Sequence, residues 1–325
     1  MRFDLAKQLI LKVDSLTSEF LSVNKCKQAG LHLVRVTQRA LAYQPIRRLV
    51  MLAHDLEARF DFAKALILKA GTLAHDYFER REALTVEHKG LQDVVSIADT
   101  AVELLIRQEL AGAFSQDSFL GEEDAARDIA NFKASASECI WVVDPIDGTA
   151  LFLNGIPSWC ISIALLVEGE IAIGLIYDPC NHELFCAQRG LGARLNGKPI
   201  KVSPAATVSD GMTGVGFSHR VKPELCLHFL GKLLNDGGMY VRSGSGALTL
   251  AYVAAGRLIG YYEPHINAWD CLAGILLIEE AGGWVDDFLA NEGLVKGNPI
   301  LCGAKGLQQT LSSYCLKESV LGNYH

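Results

Sequence analysis

The hydrophobic positions follow two different periods along the chain. From residue 49 to residue 77, apolar residues recur at steps of three and four, which predicts one long amphipathic helix. Later apolar runs are short and β-rich, and turn residues such as Asn196-Gly197 separate them. Strands are predicted at residues 139–143, 159–167, 171–177, 183–187 and 258–262, and further helices at 100–110, 223–234 and 247–255. This mixture of strands and helices predicts a layered α/β fold.

Three acidic residues fall at predicted element ends. Thr100 and Glu103 form a capping-box pattern, which places Asp99 just before a helix. A proline directly after Asp144 interrupts the apolar run 139–143, so Asp144 is predicted at the end of a strand. Asp270 lies before another apolar helix, which ends at a pair of glycines.

The first 48 residues are predicted to form a separate segment. Their acidic residues, Asp4, Asp14 and Glu19, fit neither an Arg-rich transit peptide nor a secretory signal. Apolar spacing between Leu5 and Val13 predicts short helices, and no candidate chemistry is present. We therefore divide the chain into a helical, non-catalytic extension at residues 1–48 and a catalytic domain at residues 49–325.

Composition narrows the classes of protein to which the chain can belong. The 325 residues are 50% hydrophobic, which allows a large core, and the formal net charge is −7. An acidic balance disfavours a nucleic-acid or anionic-membrane surface, and no apolar run reaches the about 20 residues of a membrane span. Nine cysteines are spread singly without a Cys-x-x-Cys pair, which favours reduced thiols. We expect a cytoplasmic protein without a nucleic-acid or membrane partner.

Three separated carboxylate clusters carry the candidate chemistry. They are Gly121-Glu122-Glu123, Asp144-Pro-Ile-Asp147-Gly148-Thr149 and Trp269-Asp270. Each alone has a plain structural explanation, namely a solvated face, a turn and a helix N-cap. Together they supply the oxygen ligands that Mg²⁺ prefers, and the N–H groups of Gly148-Thr149 can face an anion at a helix start. The combination indicates metal-assisted attack of water on a phosphate monoester.

These motifs resemble the signatures of the inositol monophosphatase family. The matching segments, in the family's order and spacing, are residues 89–99, 121–123, 141–149, 269–270 and 281–283. The resemblance implies an αβαβα sandwich of the sugar-phosphatase type, usually assembled as a homodimer. It also implies a lithium-sensitive phosphatase with two or three Mg²⁺ ions.

The resemblance further implies a role for each matching residue. The implied catalytic residues are Glu122, Thr149 and Asp99; the implied metal ligands are Glu122, Asp144, the carbonyl of Ile146, Asp147 and Asp270; the implied substrate-binding residues are Gly148, Thr149, Ser245, Gly246, Ala247, Glu263 and Asp270. Glu122 and Thr149 match the pair that activates water. Glu123 and Asp99 match carboxylates that support the metal ligands or a third ion.

The implied substrate is a small phosphorylated polyol, with inositol 1-phosphate first. Departures from the family pattern leave this choice open, because Leu151 stands where many members have Asn, and residues 155–159 are similar to the histidinol-phosphate phosphatase branch. His265, between Glu263 and Asn267, is the histidine placed to face a substrate. Histidinol phosphate, a 3′(2′),5′-bisphosphate nucleotide and an added regulatory protein-binding role remain as alternatives.

Overall fold

The computed structural model describes residues 32–81, 86–90, 93–134 and 137–316, with the backbone alone for 32–54, 86–96 and 132–134. The helices in this part of the chain are α1 His32–Glu79, α2 Ile97–Ala113, α3 Ala125–Ala134, α4 Thr149–Leu153, α5 Pro223–Asn235, α6 Gly246–Ala254, α7 Ala268–Glu280, α8 Gly293–Lys296 and α9 Gln308–Ser313. The strands are β1 Val86–Gly90, β2 Asp93–Ser96, β3 Ser118–Gly121, β4 Cys139–Asp147, β5 Cys160–Val167, β6 Glu170–Asp178, β7 Glu183–Gln188, β8 Ala193–Leu195, β9 Lys198–Pro199, β10 Met212–Val215, β11 Met239–Val241, β12 Gly260–Ile266, β13 Trp284–Val285 and β14 Asn298–Gly303.

The chain divides into two compact units between Phe62 and Ala63, and helix α1 passes through this division. In the first unit the described residues belong to α1, where Arg59 forms an ion pair with Asp55. The helix begins at His32 and not at residue 49. The prediction missed its first part because residues 32–48 lack the apolar period of three and four on which the prediction rests. The short helices predicted between residues 5 and 13 lie outside the described residues.

A seven-stranded sheet, β3 to β9 in chain order, forms the larger β layer of the second unit. Its neighbouring strands are antiparallel except for β3, which pairs parallel with β4. Successive side chains of β6 point to opposite faces of this sheet, and a helix covers each face. Gly174 approaches the backbone of Ala273 in α7, whereas Tyr177 on the opposite face lies against Gly71 of α1.

The second sheet has five strands in the order β11-β10-β12-β14-β13. Helices α6 and α7 lie between the two sheets and contact both of them. On the outer side of the smaller sheet, Phe229 and Leu233 of α5 and Leu311 of α9 share one buried cluster with sheet residues. The layers therefore follow each other as helix, sheet, helix, sheet, helix, and the predicted αβαβα sandwich is confirmed.

Two predicted element ends near the chemistry are wrong, as is the predicted position of Asp270, which lies inside the first turn of α7 with Asn267 as the N-cap instead of before the helix. Strand β4 continues past Asp144 to Asp147, because a register shift against β5 takes the intervening Pro145 out of the hydrogen-bond ladder. Helix α2 begins at Ile97, directly after β2, so Asp99 lies buried inside the first turn instead of before it. Both shifts place acidic side chains inside regular elements, where the backbone fixes their direction.

Candidate active site

A cavity of about 830 Å³ opens where the ends of several elements of the second unit meet. The predicted site residues that line it are Glu122, Asp147, Gly148, Thr149, Ser245, Gly246, Glu263 and Asp270. Asp99, Asp144, Ile146 and Ala247 contact lining residues from behind. Positions that are far apart in the sequence therefore meet at one cavity.

The carboxylates of Asp144, Asp147 and Asp270 form the centre of the site. Each offers an oxygen within 4.8 Å of the others. Asp144 and Asp147 flank the register shift in β4, and Asp270 comes from the first turn of α7. Asp270 Oδ2 also accepts the backbone N–H of Asn267 at 3.1 Å, which closes a capping box at the start of this helix.

Thr149 connects the cavity to Asp99. Its Oγ1 lies 3.1 Å from Asp99 Oδ1 and 3.1 Å from the carbonyl oxygen of Ile146. A hydroxyl has one proton and two lone pairs, so it donates to one of these acceptors and can still accept a hydrogen bond from the cavity. Gly148 directly before it has φ 99°, a left-handed conformation that favours glycine, and it caps α4.

Burial and repulsion between neighbouring carboxylates both raise pKa values in this cluster. Burial, then repulsion by Asp270 and Glu123, raises the pKa of Glu122 well above its ordinary value. Burial, then repulsion by Glu122 and Asp147, does the same to the pKa of Asp144. Burial raises the pKa of Asp270, and burial with repulsion by Asp270 raises the pKa of Asp147 to about 7. A cation would relieve this repulsion, so the oxygen donors fit a hard divalent ion.

Ser245 is hydrogen-bonded to Asp147. Its hydroxyl donates to Asp147 Oδ2 at 2.6 Å, and the N–H of Ala247 donates to the same oxygen at 2.6 Å. Ser245 is 1% exposed and also caps α6 by accepting the N–H of Leu248 at 3.1 Å. The loop that was predicted to line the sugar site therefore also orients one of the central carboxylates.

Glu263 lies on the same cavity, on strand β12. Tyr261 donates its hydroxyl to Glu263 Oε2, and a Cβ at Gly216 would lie 2.3 Å from that oxygen. Burial raises the pKa of Glu263 to about 8 against the lowering effect of the Tyr261 hydrogen bond, and repulsion by Asp270 and Asp147 adds to the rise. His265 also lines the cavity, and its Nε2 lies 3.0 Å from the carbonyl oxygen of Lys296.

Several residues at or behind the cavity were missed by the sequence analysis. Arg220 and Arg242 line the cavity, and neither guanidinium donates a hydrogen bond to a described residue. Glu103, Arg107 and Asp128 form a hydrogen-bonded network that reaches the backbone next to Glu122. The four-residue spacing from position 99 to 103 to 107 was a signal for part of it, because such residues share one helix face.

Comparisons with known proteins show which family the chain resembles. A model of the inositol monophosphatase family matches residues 55–318 of the chain. The protein named Inositol-1-monophosphatase from Rhizobium meliloti (strain 1021) is 40% identical over 248 residues, which is 75% of this chain and 91% of the relative. The protein named Nus factor SuhB from Haemophilus influenzae (strain ATCC 51907 / DSM 11121 / KW20 / Rd) is 35% identical over 247 residues, again 75% and 91%. The solved structure of inositol monophosphatase from Anabaena (Nostoc) sp. PCC 7120 is similar with a TM-score of 0.66 and 33% identity, and the match covers 80% of this chain and 96% of that one.

Proposed function

This chain belongs to the inositol monophosphatase family, whose members are phosphoric monoester hydrolases, and from that premise we propose that it hydrolyses inositol 1-phosphate with Mg²⁺ as its metal. One observation carries the proposal. The carboxylates of Asp144, Asp147 and Asp270 gather within 4.8 Å of one another, two of them line the cavity, and a partly buried group that can accept a hydrogen bond from a hydroxyl, Glu263, lines the same cavity. The first group suits a metal and a phosphate, and the second suits a polyol.

The chain's own residues have separate tasks in this proposal. Glu122, Asp144, Asp147 and Asp270, with the carbonyl of Ile146, would hold two or three Mg²⁺ ions. When bound, such ions neutralise phosphate oxygens and lower the pKa of water.

The remaining groups orient the reactants. Glu122 and Thr149 orient the attacking water. Thr149 accepts a hydrogen bond from the water while its own hydroxyl donates a hydrogen bond to Asp99 or to the Ile146 carbonyl. The N–H groups of Gly148 and Thr149 face the phosphate at the start of α4.

A panel of phosphate monoesters tests the substrate. Phosphate release from inositol 1-phosphate, histidinol phosphate, a 3′(2′),5′-bisphosphate nucleotide and an aryl phosphate is measured with Mg²⁺ and with excess chelator. We expect the highest kcat/KM for inositol 1-phosphate, no turnover in chelator and inhibition by Li⁺. Undiminished turnover in chelator would exclude the metal mechanism, and a clear preference for another monoester would exclude inositol 1-phosphate as the substrate.

The two arginines on the cavity favour a second candidate, a bisphosphate nucleotide. Burial raises the pKa of Asp270 while Arg220 is close enough to oppose that rise, and Arg242 acts on Glu263 in the same way. Two guanidiniums in one cavity suit a second phosphate, because they bind phosphate with a planar fork of donors. A double Arg220→Met, Arg242→Met variant separates the candidates. If the nucleotide is the substrate, the kcat/KM of this variant should fall much more for the bisphosphate than for inositol 1-phosphate. If inositol 1-phosphate is the substrate, kcat/KM should show no such selective fall.

Assembly and regulation belong to the same proposal. We expect a homodimer, which sedimentation of the full chain tests directly. An added protein-binding role is supported by the relative whose name is Nus factor SuhB. Such a role should survive in a catalytically inactive Asp144→Asn variant, so loss of partner binding together with catalysis would contradict it.

A further inference from the structure

The backbone around Glu122 is held at each of three consecutive residues. The N–H of Gly121 donates to Asp128 Oδ2 at 2.9 Å, and the N–H of Glu123 donates to Glu103 Oε2 at 3.0 Å. The N–H of Glu122 itself donates to the carbonyl oxygen of Val143 in β4 at 3.2 Å. Two carboxylates from two different helices, α2 and α3, therefore hold the N–H groups of the residues on either side of Glu122.

Arg107 joins those two carboxylates. Its Nη1 and Nη2 donate to Asp128 at 2.9 and 2.8 Å, and Nη2 also donates to Glu103 Oε1 at 2.7 Å. Asp128 is 1% exposed and Glu103 is 3% exposed, so both carboxylates need a paired cation. The guanidinium also lies over the ring of Phe119, with its Cζ 4.0 Å from the ring centre, which fixes its plane.

Gly121 shows how closely this network fits the backbone. A Cβ at this position would lie 2.3 Å from Glu103 Oε2 and 2.5 Å from Glu103 Cδ. No side chain larger than hydrogen fits between the Glu103 carboxylate and strand β3 without displacing one of them. The carboxylate therefore packs directly on the backbone that leads into Glu122.

We propose that Glu103, Arg107 and Asp128, together the Arg107 clamp, are positioning residues that hold Glu122 in the direction required to bind a metal. The inference rests on the proposed role of Glu122 as a metal ligand. The clamp bonds to the peptide groups beside Glu122 and not to its side chain, so it sets the direction of the carboxylate without competing for its oxygens. Groups that orient a ligand in this way typically change metal affinity or activity by about 10–100-fold.

Direct metal binding tests the clamp without any need for turnover. Mn²⁺ is titrated into the metal-free full chain, and the free ion is followed by electron paramagnetic resonance. Arg107→Met should weaken Mn²⁺ binding by about tenfold. The matched control is Arg127→Met, which removes an arginine of equal charge that is exposed and lies 3.8 Å from Asp128 Oδ1. The control should bind Mn²⁺ like the wild type.

A second variant and a second measurement cover the possibility that Arg107→Met does not fold. Asp128→Asn keeps the shape of the side chain but removes the charge that Arg107 pairs with, and it should also weaken Mn²⁺ binding about tenfold. Amide hydrogen exchange of a peptide covering residues 120–124 in the metal-free protein should be faster in each folded clamp variant than in Arg127→Met.

The outcomes separate the clamp from the proposed function. Clamp variants that fold and bind Mn²⁺ like the control, or that leave exchange at residues 120–124 unchanged, would overturn the inference. A wild-type chain that binds no divalent ion would overturn it as well. A wild-type chain that binds Mn²⁺ but releases no phosphate from any monoester would overturn the proposed function alone, because the titration still compares the variants.

Discussion

At the scale of single residues, the charges of Asp144 and Asp270 should serve catalysis and at the same time destabilise the metal-free protein. Burial raises the pKa of both carboxyls, repulsion by Glu122 and Asp147 raises that of Asp144 further, and both are proposed metal ligands. Asp144→Asn and Asp270→Asn should each lower kcat by roughly 10² or more, because each removes charge that stabilises the transition state.

Asp144→Asn should also raise the melting temperature of the metal-free protein by relieving repulsion. The gain should be smaller for Asp270→Asn, since Asp270 also closes the capping box with Asn267. Activity assays and calorimetry in chelator check both effects; near wild-type rates in both variants would contradict the assignment.

Glu263 should govern which substrate is chosen more than how fast it reacts. A buried carboxylate on the cavity can accept hydrogen bonds from polyol hydroxyls. Glu263→Gln should therefore raise KM for inositol 1-phosphate and leave hydrolysis of an aryl phosphate nearly unchanged. Steady-state kinetics on the two substrates check this. Equal losses on both would mean that Glu263 supports the structure of the site, and no loss on either would mean that it does not contact the substrate.

The same residue predicts a pH dependence of stability. Burial raises the pKa of Glu263 from its ordinary value of 4.5 to about 8 in the folded chain. A carboxyl whose folded pKa is raised binds its proton more tightly in the folded chain, so its contribution to stability is full below pH 4.5 and is lost as the pH rises through 8. In chelator, the melting temperature of Glu263→Gln relative to wild type should therefore increase between pH 5 and pH 8. A difference that stays constant over this range would show that Glu263 titrates normally.

At the scale of elements, the sequence predicted which segments are helices and strands but not how they end near the site. Periodicity found β5, β6 and α5 within a few residues, because each element has one clearly apolar pattern. It could not show that β4 passes through a proline, since a bulge depends on the partner strand and not on local residues. Where a bulge or a cap is involved, tertiary pairing decides the boundary.

The candidate site was predictable where its chemistry lies in short motifs and unpredictable where it depends on pairing. Asp144, Asp147 and Asp270 stand in recognisable segments, and the structure brings them together. Arg107 and Asp128 are 21 positions apart and look like ordinary helix-surface charges until the two helices pack. A bidentate ion pair across that distance has no local sequence signal.

Close packing of helices α6 and α7 yields a prediction with an internal control. A Cβ at Gly274 in α7 would lie 2.4 Å from Leu250 Cβ in α6, whereas a Cβ at Gly231 in α5 would have no neighbour within 4 Å. Gly274→Ala should destabilise the fold by about 1–3 kcal/mol through overpacking. Gly231→Ala should stabilise it by roughly 0.5–1 kcal/mol, because it removes a mid-helix glycine. Chemical denaturation checks both, and a neutral Gly274→Ala would contradict the close approach of these helices.

At the scale of the whole molecule, the N-terminal extension at residues 1–48 should be dispensable for chemistry. The family match begins at residue 55, and the cavity is lined by residues from 122 onward. A chain that begins at Met51 should therefore fold and retain the kcat/KM of the full chain. Solubility, circular dichroism and phosphate release of the two proteins are compared. Loss of activity in a folded, shortened chain would contradict this division.

No described helix is both long enough and apolar enough to cross a bilayer.

The two sheets of the second unit share the helices between them, and α6 and α7 contact both sheets. Asp147 belongs to one side of this helical layer, and its oxygen is held by Ser245 and Ala247 at the start of α6. The geometry of the site is therefore a property of the assembled layers and not of any one element.

This arrangement has a consequence for the order of folding events. Asp144 and Asp270 are separated by 126 positions in the sequence, so the site forms only when both ends of a very long loop have met. Contacts of that kind form late, because the entropy of loop closure opposes them until much of the chain is ordered. Interactions made after the transition state change the unfolding rate and leave the refolding rate nearly unaltered. An ion bound by these carboxylates should therefore lengthen the lifetime of the folded chain without making it fold faster.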